Sequence, residues 1–384
     1  MKNFVLALAV LIGTTVGAGI FGIPYAIVKS GIIPGFFYFI VLGGTVMFLH
    51  LFLGEIVLRT EGKHRLIGYA QKYLGKREKL FVTFSTIFGI IGSLLAYIII
   101  GGNFLKIICA SWLNIDSFYF SLFLGVALSL FIFRGIKLIA PAELLTNILF
   151  FSIIFIIFLF ALPKVNFQNF TLFNPKYIFL PYGILLFSFV GWTAIPEIND
   201  IFKAPKDKKN YKKIIILASI IVVILYSLFA LTIIGISGKS TTEEALLGLE
   251  PFLGPKVILL GALFGLIVIS DSILVLALYL RNALIYDYNL SKNLSFLISC
   301  GAPLILFLIG FRSFIETIGL IGTVIGALEG IAIILIFRKA KKLGDRKPEY
   351  NLKIPSLLMY LFVLIFIIGT ISQVVYYLKD LIKT

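Results

Sequence analysis

The first apolar segment of the chain contains a cluster of glycines that few folds can accommodate. The stretch GTTVGAGIFGIP, residues 13–24, holds four glycines and a proline within a run long enough to cross a bilayer. In lipid an unpaired backbone N–H or C=O is costly, so clustered glycines at membrane depth predict a broken helix whose freed groups face protein, ligand or water. Helix packing is the alternative interpretation, because the small-xxx-small spacing of Gly13 and Gly17 also lets helices approach closely.

The composition is that of an integral membrane protein. Hydrophobic residues make up 60% of the 384 residues and charged residues only 14%, against about a quarter in soluble proteins. The mean hydropathy is +1.07. The two cysteines and two histidines are too few and too scattered for a metal site or a disulfide framework. No cofactor and no nucleic-acid partner is expected, and the sequence leaves the oligomeric state open.

Hydropathy predicts eleven membrane spans, numbered here in chain order: 4–28, 35–58, 80–108, 117–133, 141–162, 179–198, 213–236, 256–287, 295–310, 313–337 and 355–378. Most of the 34 Lys and Arg residues fall in alternate loops on one side. This asymmetry predicts a cytoplasmic N-terminus and an outside C-terminus in a cell (inner) membrane. The net charge of +16 is therefore interpreted as a topology signal rather than a nucleic-acid footprint.

Two loops carry helix signals of their own. In the first inner loop an apolar face alternates with basic residues and predicts a short amphipathic helix in the membrane interface, with Leu66, Tyr69, Ala70, Tyr73 and Leu74 on that face. In the outer loop between spans 7 and 8, hydroxyl and carboxylate residues at 241–244 precede the apolar residues 245–249. That order predicts a second short helix.

Span 6 is interrupted in the same way as span 1. Its sequence LLFSFVGWTAIPEIND, residues 185–200, has Gly191 near the centre and Pro196 further on. Two interrupted spans five positions apart predict an inverted repeat with a binding site at the repeat interface. We expect one transporter domain over residues 1–384, with repeat one at about 4–162, repeat two at about 179–337 and an extra helix at about 355–378.

These segments resemble the amino acid–polyamine–organocation permeases, nearest the tryptophan/tyrosine and amino-acid/auxin permease branches. The resemblance rests on four motifs: GTTVGAGIFGIPYAIVKSG (13–31), GEIVLRTEG (54–62), AYIIIGGNFL (96–105) and FSFVGWTAIPEI (187–198). It implies an all-α membrane protein with the leucine-transporter fold, a 5+5 inverted repeat whose spans 1 and 6 are broken, and an eleventh helix.

A zwitterionic amino acid needs donors for its carboxylate and acceptors for its ammonium group. The N-terminal end of the second half of span 1, with amides of residues 18–21, suits the carboxylate. Freed carbonyls near residues 14–15 and 187–190 suit the ammonium group. The expected substrate-binding residues are Thr14, Thr15, Gly17, Ala18, Gly19, Ile20, Phe21, Tyr97, Gly101, Phe187, Ser188, Phe189, Gly191 and Trp192.

The coupling ion is expected between spans 1 and 8. The resemblance implies a cation site built from span 1 carbonyls and span 8 side chains, here Gly13, Val16, Ser270, Asp271 and Ser272. An ionisable residue at mid-membrane is by default a functional hypothesis, and oxygen ligands suit Na⁺ while a lone carboxylate can take H⁺. Ile20 stands where some sodium-bound relatives carry asparagine, which argues against a second sodium site. The run 148–160 has no lysine to replace the cation.

Four further acids, Glu55, Glu143, Glu197 and Glu329, lie nearer the inner ends of spans. Interfacial solvation is the expected role, with pairing to inner-loop Lys or Arg or an inner gate as alternatives. His50 in span 2 is a lone titratable group.

The sequence thus predicts a secondary active transporter of amino acids with neutral, apolar or aromatic side chains, coupled to Na⁺ or H⁺ by alternating access. The alternatives are a carrier of another small solute on the same fold and a transporter-like nutrient sensor or receptor. An enzyme is not expected, because no nucleophile–base or metal constellation lies within the spans.

Overall fold

The computed structural model describes residues 2–134, 148, 152, 154–202, 205–286 and 288–381, and these ranges consist of helices joined by loops. The helices are α1 (Lys2–Thr15), α2 (Gly19–Ser30), α3 (Ile32–Arg59), α4 (Leu66–Tyr73), α5 (Lys76–Cys109), α6 (Ser117–Phe133), α7 (Ile154–Lys164), α8 (Leu180–Phe189), α9 (Ala194–Ile201), α10 (Pro205–Lys208), α11 (Tyr211–Ser237), α12 (Glu250–Leu253), α13 (Pro255–Tyr286), α14 (Lys292–Phe296), α15 (Ala302–Leu308), α16 (Phe314–Ile321), α17 (Ala327–Leu343) and α18 (Ser356–Leu381). One buried apolar core runs through the bundle.

The helices of the described ranges match the predicted spans. Seven segments are long and apolar enough to cross a membrane, and the bent pair α1–α2 makes an eighth. Shorter apolar helices occupy predicted spans 4, 5 and 9. The start of span 5, including Glu143, lies outside the described residues. The prediction of an all-α membrane protein is confirmed.

Both predicted helix breaks are present. Span 1 is divided into α1 and α2, which meet at 54°, and residues 16–18 between them are not helical. Span 6 is divided into α8 and α9 at residues 190–193, where Val190 is extended with ψ of 118°. The broken spans lie against each other, because α2 packs along α8.

Spans 6 and 10 touch backbone to backbone. Within span 10, a π-helical turn at Gly322–Gly326 joins α16 to α17. A Cβ atom on Gly322 would collide with the carbonyl oxygen of Gly183, and one on Gly183 would collide with that of Gly319. Only glycine at these positions allows the observed spacing.

Of the two predicted loop helices, one is present as predicted and the other begins later in the chain. The amphipathic helix is α4, and its Tyr69, Ala70 and Tyr73 are buried. In the outer loop residues 241–246 are not helical, and the short helix begins instead as a 3₁₀ turn at Leu247–Leu249 that leads into α12. The predicted start of this helix is therefore wrong. Ala245 there has φ of 65°, which a right-handed helix excludes, and the Thr241 hydroxyl bonds back to the Gly238 carbonyl instead of capping a new helix.

One end of the bundle, which we call the basic end, is formed by the loops at residues 60–65 and 344–355. There Lys72 forms an ion pair with Asp345, whose carboxylate also accepts a hydrogen bond from the Glu61 amide. These two donors hold the pKa of Asp345 below its ordinary value. The same end carries the ion pair Lys63–Asp200, at 3.1 Å.

Glu55 of α3 anchors the 344–355 loop from a fully buried position. Its carboxylate accepts a hydrogen bond from Arg59 Nε at 2.8 Å and another from the Leu352 amide at 2.7 Å, and Lys341 Nζ lies 4.0 Å away. The Tyr350 hydroxyl donates to the Leu51 carbonyl at 2.6 Å. Interfacial solvation of Glu55 is therefore a wrong prediction, and its pairing with basic residues is what the structure shows.

We expect Glu55→Ala to lower the free energy of unfolding by about 3 kcal/mol, because it leaves Arg59 and the Leu352 amide without their buried acceptor. Thermal unfolding in detergent and hydrogen exchange at the Leu352 amide measure the effect. Glu78→Ala is the matched control, since that side chain is exposed. Equal stability of the two variants would contradict the anchoring role.

Candidate functional site

A cavity of about 530 Å³ lies between the two helix breaks. The first wall is the interrupted main chain of span 1 and the second is the segment 187–193 of span 6. Spans 3, 8 and 10 close the sides. The lining residues from those three spans include Thr86, Ser93, Tyr97, Asp271, Ser272, Tyr279, Gly322 and Glu329.

The cavity extends from the breaks towards the basic end. Glu197 of α9 lies at its mouth, 3.9 Å from Arg65 Nη2, and the neighbouring Thr193 is exposed. On the opposite side the path is filled by aromatic packing. The Phe21 ring contacts Phe104 and Phe229, with centroid distances of 5.0 and 6.2 Å. Among the residues that the structure describes, the exposed part of the cavity lining therefore lies at the basic end.

Tyr226 of α11 links the two breaks. Its hydroxyl lies 2.9 Å from the carbonyl oxygen of Thr15 and 3.0 Å from that of Ser188, and it donates its single proton between them. The ring is fully buried and packs on Phe189 at 5.7 Å. Both carbonyls were predicted as acceptors for an ammonium group, and in this structure they share one protein donor.

Eight of the predicted substrate-binding residues line the cavity. They are Thr14, Thr15, Gly17, Gly19, Tyr97, Phe187, Ser188 and Trp192. The Tyr97 hydroxyl lies against Gly17, 3.0 Å from where a Cβ atom would stand. Gly19 faces Ser188 of the other broken span, whose Cα would be 2.9 Å from such an atom.

The other six predicted residues lie outside the lining. Ala18, Ile20 and Phe21 are buried in the core, and the amides of Ile20 and Phe21 bond to the carbonyls of Gly17 and Ala18 within the turn. Those two amides are thus not open to a ligand, although the prediction placed them there. The remaining three serve packing: Phe189 contacts Phe39 and Tyr226, Gly101 faces Leu124, and Gly191 faces Thr15.

The predicted ion-coupling residues are brought together with one exception. Gly13, Val16, Asp271 and Ser272 line the same cavity. Ser270 does not, because successive residues of α13 point in different directions.

Comparison with known proteins shows the family to which the protein belongs. A family model described as "Transmembrane amino acid transporter protein" matches residues 2–378. The chain belongs to the transmembrane amino acid transporter family. A sequence comparison with curated proteins gives no match.

The transporter is also similar to a solved structure, the "Crystal structure of MhsT in complex with L-phenylalanine". The TM-score is 0.63 over 97% of each chain, at 14% sequence identity. At that identity the likeness shows the fold alone, and it confirms the predicted leucine-transporter fold with broken spans 1 and 6. The predicted family resemblance is confirmed as well.

Sequence reasoning missed the setting of Glu329 in this transporter. The residue is 7% exposed, so the expected interfacial solvation is wrong. Its carboxylate accepts hydrogen bonds from Thr86 Oγ1 at 2.7 Å and from Trp192 Nε1 at 2.8 Å. The His50 ring lies edge-on to the indole, with ring centroids 6.5 Å apart. A glutamate within an apolar span was the one sequence signal for this site. It could not indicate the two neutral partners, because they are distant in sequence.

The charged side chains lining the transporter cavity all carry carboxylates. They belong to Glu197, Asp271 and Glu329, and among the described residues of the lining there is no Lys or Arg. Such a cavity attracts a cationic group and repels an additional anionic one. The positive potential in reach of a ligand carboxylate comes instead from the N-terminus of α2, whose first turn has no side-chain cap.

We expect Tyr226→Phe to lower the free energy of unfolding by about 1–3 kcal/mol, because two buried carbonyls lose their donor while the ring packing is kept. Thermal unfolding in detergent measures the change. Tyr119→Phe, at an exposed site on α6, is the control. If both variants unfold at the wild-type temperature, the hydroxyl does not stabilise the breaks.

Proposed function

We propose that this chain is a secondary active transporter that carries neutral amino acids with apolar or aromatic side chains by alternating access, driven by Na⁺ or H⁺. The observation that carries the proposal is the cavity between two broken spans. Alternating access needs a polar binding site at membrane depth, and broken helices supply one without adding charged side chains.

The cavity chemistry supports a zwitterionic substrate. In the proposed pose the substrate carboxylate lies at the N-terminal end of α2, beside Gly17 and Gly19, where the helix dipole favours an anion. The ammonium group faces the carboxylate side of the cavity. The substrate side chain meets the rings of Tyr97, Phe187 and Trp192, which line the cavity and contact apolar or aromatic groups favourably. The bound L-phenylalanine of the similar MhsT structure supports a substrate of this class.

For the coupling cation we propose the oxygen atoms at the junction of spans 1 and 8. Asp271 and Ser272 of α13 line the cavity together with Gly13 and Val16, whose carbonyls lie at the end of α1. Carbonyl, hydroxyl and carboxylate oxygens suit Na⁺, and the carboxylate alone suits H⁺.

We propose that the basic end faces the cytoplasm, with the N-terminus inside and the C-terminus outside a cell membrane. The basic loops at that end support this orientation by the positive-inside rule. The structure then corresponds to an inward-open state, because its cavity reaches solvent at the basic end.

The decisive experiment is uptake of a panel of labelled amino acids into proteoliposomes, with Na⁺ and pH gradients imposed separately. We expect accumulation of neutral apolar or aromatic amino acids above equilibrium with one of the two gradients. Binding without flux would favour a sensor, and accumulation of a solute other than amino acids would favour a different carrier function.

We expect Gly17→Leu and Gly19→Leu to abolish amino-acid binding and uptake, because a side chain there collides with Tyr97 or Ser188 and fills the space for the ligand. Gly44→Leu is the matched control, since a Cβ atom on this helical glycine meets nothing within 4 Å. Uptake and membrane insertion are measured for all three variants. Normal uptake by both cavity variants would contradict the main-chain site.

We expect Asp271→Asn to reduce cation-driven accumulation far more than it reduces stability, because it removes the charge but keeps the side-chain shape. The accumulation ratio and the melting temperature are compared with those of wild type. A wild-type accumulation ratio would exclude Asp271 from coupling.

A further inference from the structure

Glu329 forms a second polar centre in the cavity wall, apart from the candidate cation site at Asp271. Each of its carboxylate oxygens has one neutral donor: Oε1 accepts from Thr86 and Oε2 from Trp192. Within the described chain it forms no salt bridge with Lys, Arg or His. A buried carboxylate held only by neutral groups can change its charge without breaking an ion pair.

The two hydrogen bonds of Glu329 join three different spans. Thr86 lies on α5 of span 3, Glu329 on α17 of span 10, and Trp192 in the break of span 6. A change in the charge of this carboxylate therefore acts directly on the segment that separates α8 from α9. The Trp192 indole is only 2% exposed, so its position depends on this bond and on packing.

The partners of Glu329 suit both of its protonation states. The indole N–H of Trp192 can donate to an ionised or a neutral carboxyl oxygen. The hydroxyl of Thr86 donates to the ionised form and accepts from the O–H of the neutral form. The site therefore binds a proton without losing a hydrogen bond, and the cavity gives protons a route from the basic end.

Other titratable groups lie near this centre. Those lining the same cavity are Tyr97, Glu197, Asp271 and Tyr279, and His50 of α3 lies edge-on to the Trp192 ring. The test therefore separates Glu329 from them.

We infer that Glu329 binds a proton during the transport cycle and that its charge controls the contact with Trp192 at the break of span 6. The inference rests on the proposed transport function. The proton joins a carboxylate oxygen from the solution on one side of the membrane, which neutralises Glu329, and it dissociates to the other side after the cavity changes access.

The chain offers a direct reporter of this event. It has two tryptophans, and the second, Trp112, is 84% exposed in the turn after α5. Trp112→Phe therefore leaves Trp192 as the single indole, hydrogen-bonded to the carboxylate in question. We expect its fluorescence to show one transition as the pH is varied, because the indole reports the charge of the carboxyl group to which it is bonded.

In the Trp112→Phe background, Glu329→Gln removes the charge change and is expected to abolish the transition. Thr86→Val keeps the carboxyl group but removes a donor to its ionised form, and is expected to move the transition to higher pH. His50→Gln and Asp271→Asn are controls that leave it in place. A transition that persists in Glu329→Gln, or a reporter without any transition, overturns the inference.

Amino-acid exchange across the same proteoliposomes gives the functional readout. We expect the pH dependence of exchange to follow the fluorescence transition in the reporter protein and to be lost in Glu329→Gln. An unchanged pH dependence in that variant overturns the inference even where transport itself is intact. Absence of exchange in the wild-type protein contradicts the proposed function instead, while the fluorescence titration still tests Glu329.

Discussion

The hydrogen-bonding demand of a peptide group in lipid is the constraint on which this structure depends. A continuous helix meets that demand with its own backbone hydrogen bonds. In two spans this series of hydrogen bonds is interrupted, at residues 16–18 and 190–193. One hydroxyl, that of Tyr226, serves a carbonyl beside each break. The breaks are thus stabilised jointly, and a third span, α11, is tied to both. Open backbone at membrane depth exists here because protein groups surround it.

The proposed recognition of the substrate also relies on the main chain rather than on added charged side chains. Positive potential in the cavity comes from the dipole at the N-terminal end of α2, whereas the charged side chains of the described lining are acids. Main-chain donors depend on backbone shape more than on side-chain identity. Small residues such as Gly17 and Gly19 let a ligand approach that backbone, and the rings of Tyr97 and Trp192 shape the rest of the wall. Proposed substrate selectivity therefore resides in the rings and proposed zwitterion recognition in the backbone.

Local sequence was sufficient to predict the helices and their breaks, but not the hydrogen bonds that join one span to another. Glycine clusters and apolar run lengths indicated both breaks, because those properties act within one span. Tyr226 and Glu329 form hydrogen bonds with residues far away in the chain. The residues adjacent to them in sequence do not indicate which partners they have. The short helix of the outer loop begins later than predicted for a local reason, the positive φ of Ala245, which an alanine does not indicate in the sequence. The inverted repeat, with halves at about 4–162 and 179–337, stays a proposal about internal symmetry.

The anchoring of the 344–355 loop has a mechanical consequence. Glu55 and the Leu51 carbonyl hold that loop on α3, and the loop leads directly into α18. The last helix is therefore tethered to the second span by buried polar contacts at its root, in addition to side-chain packing. A tilt of α3 is therefore expected to be transmitted through these bonds to the start of α18, so that the second and eleventh spans respond together to a change in the bilayer.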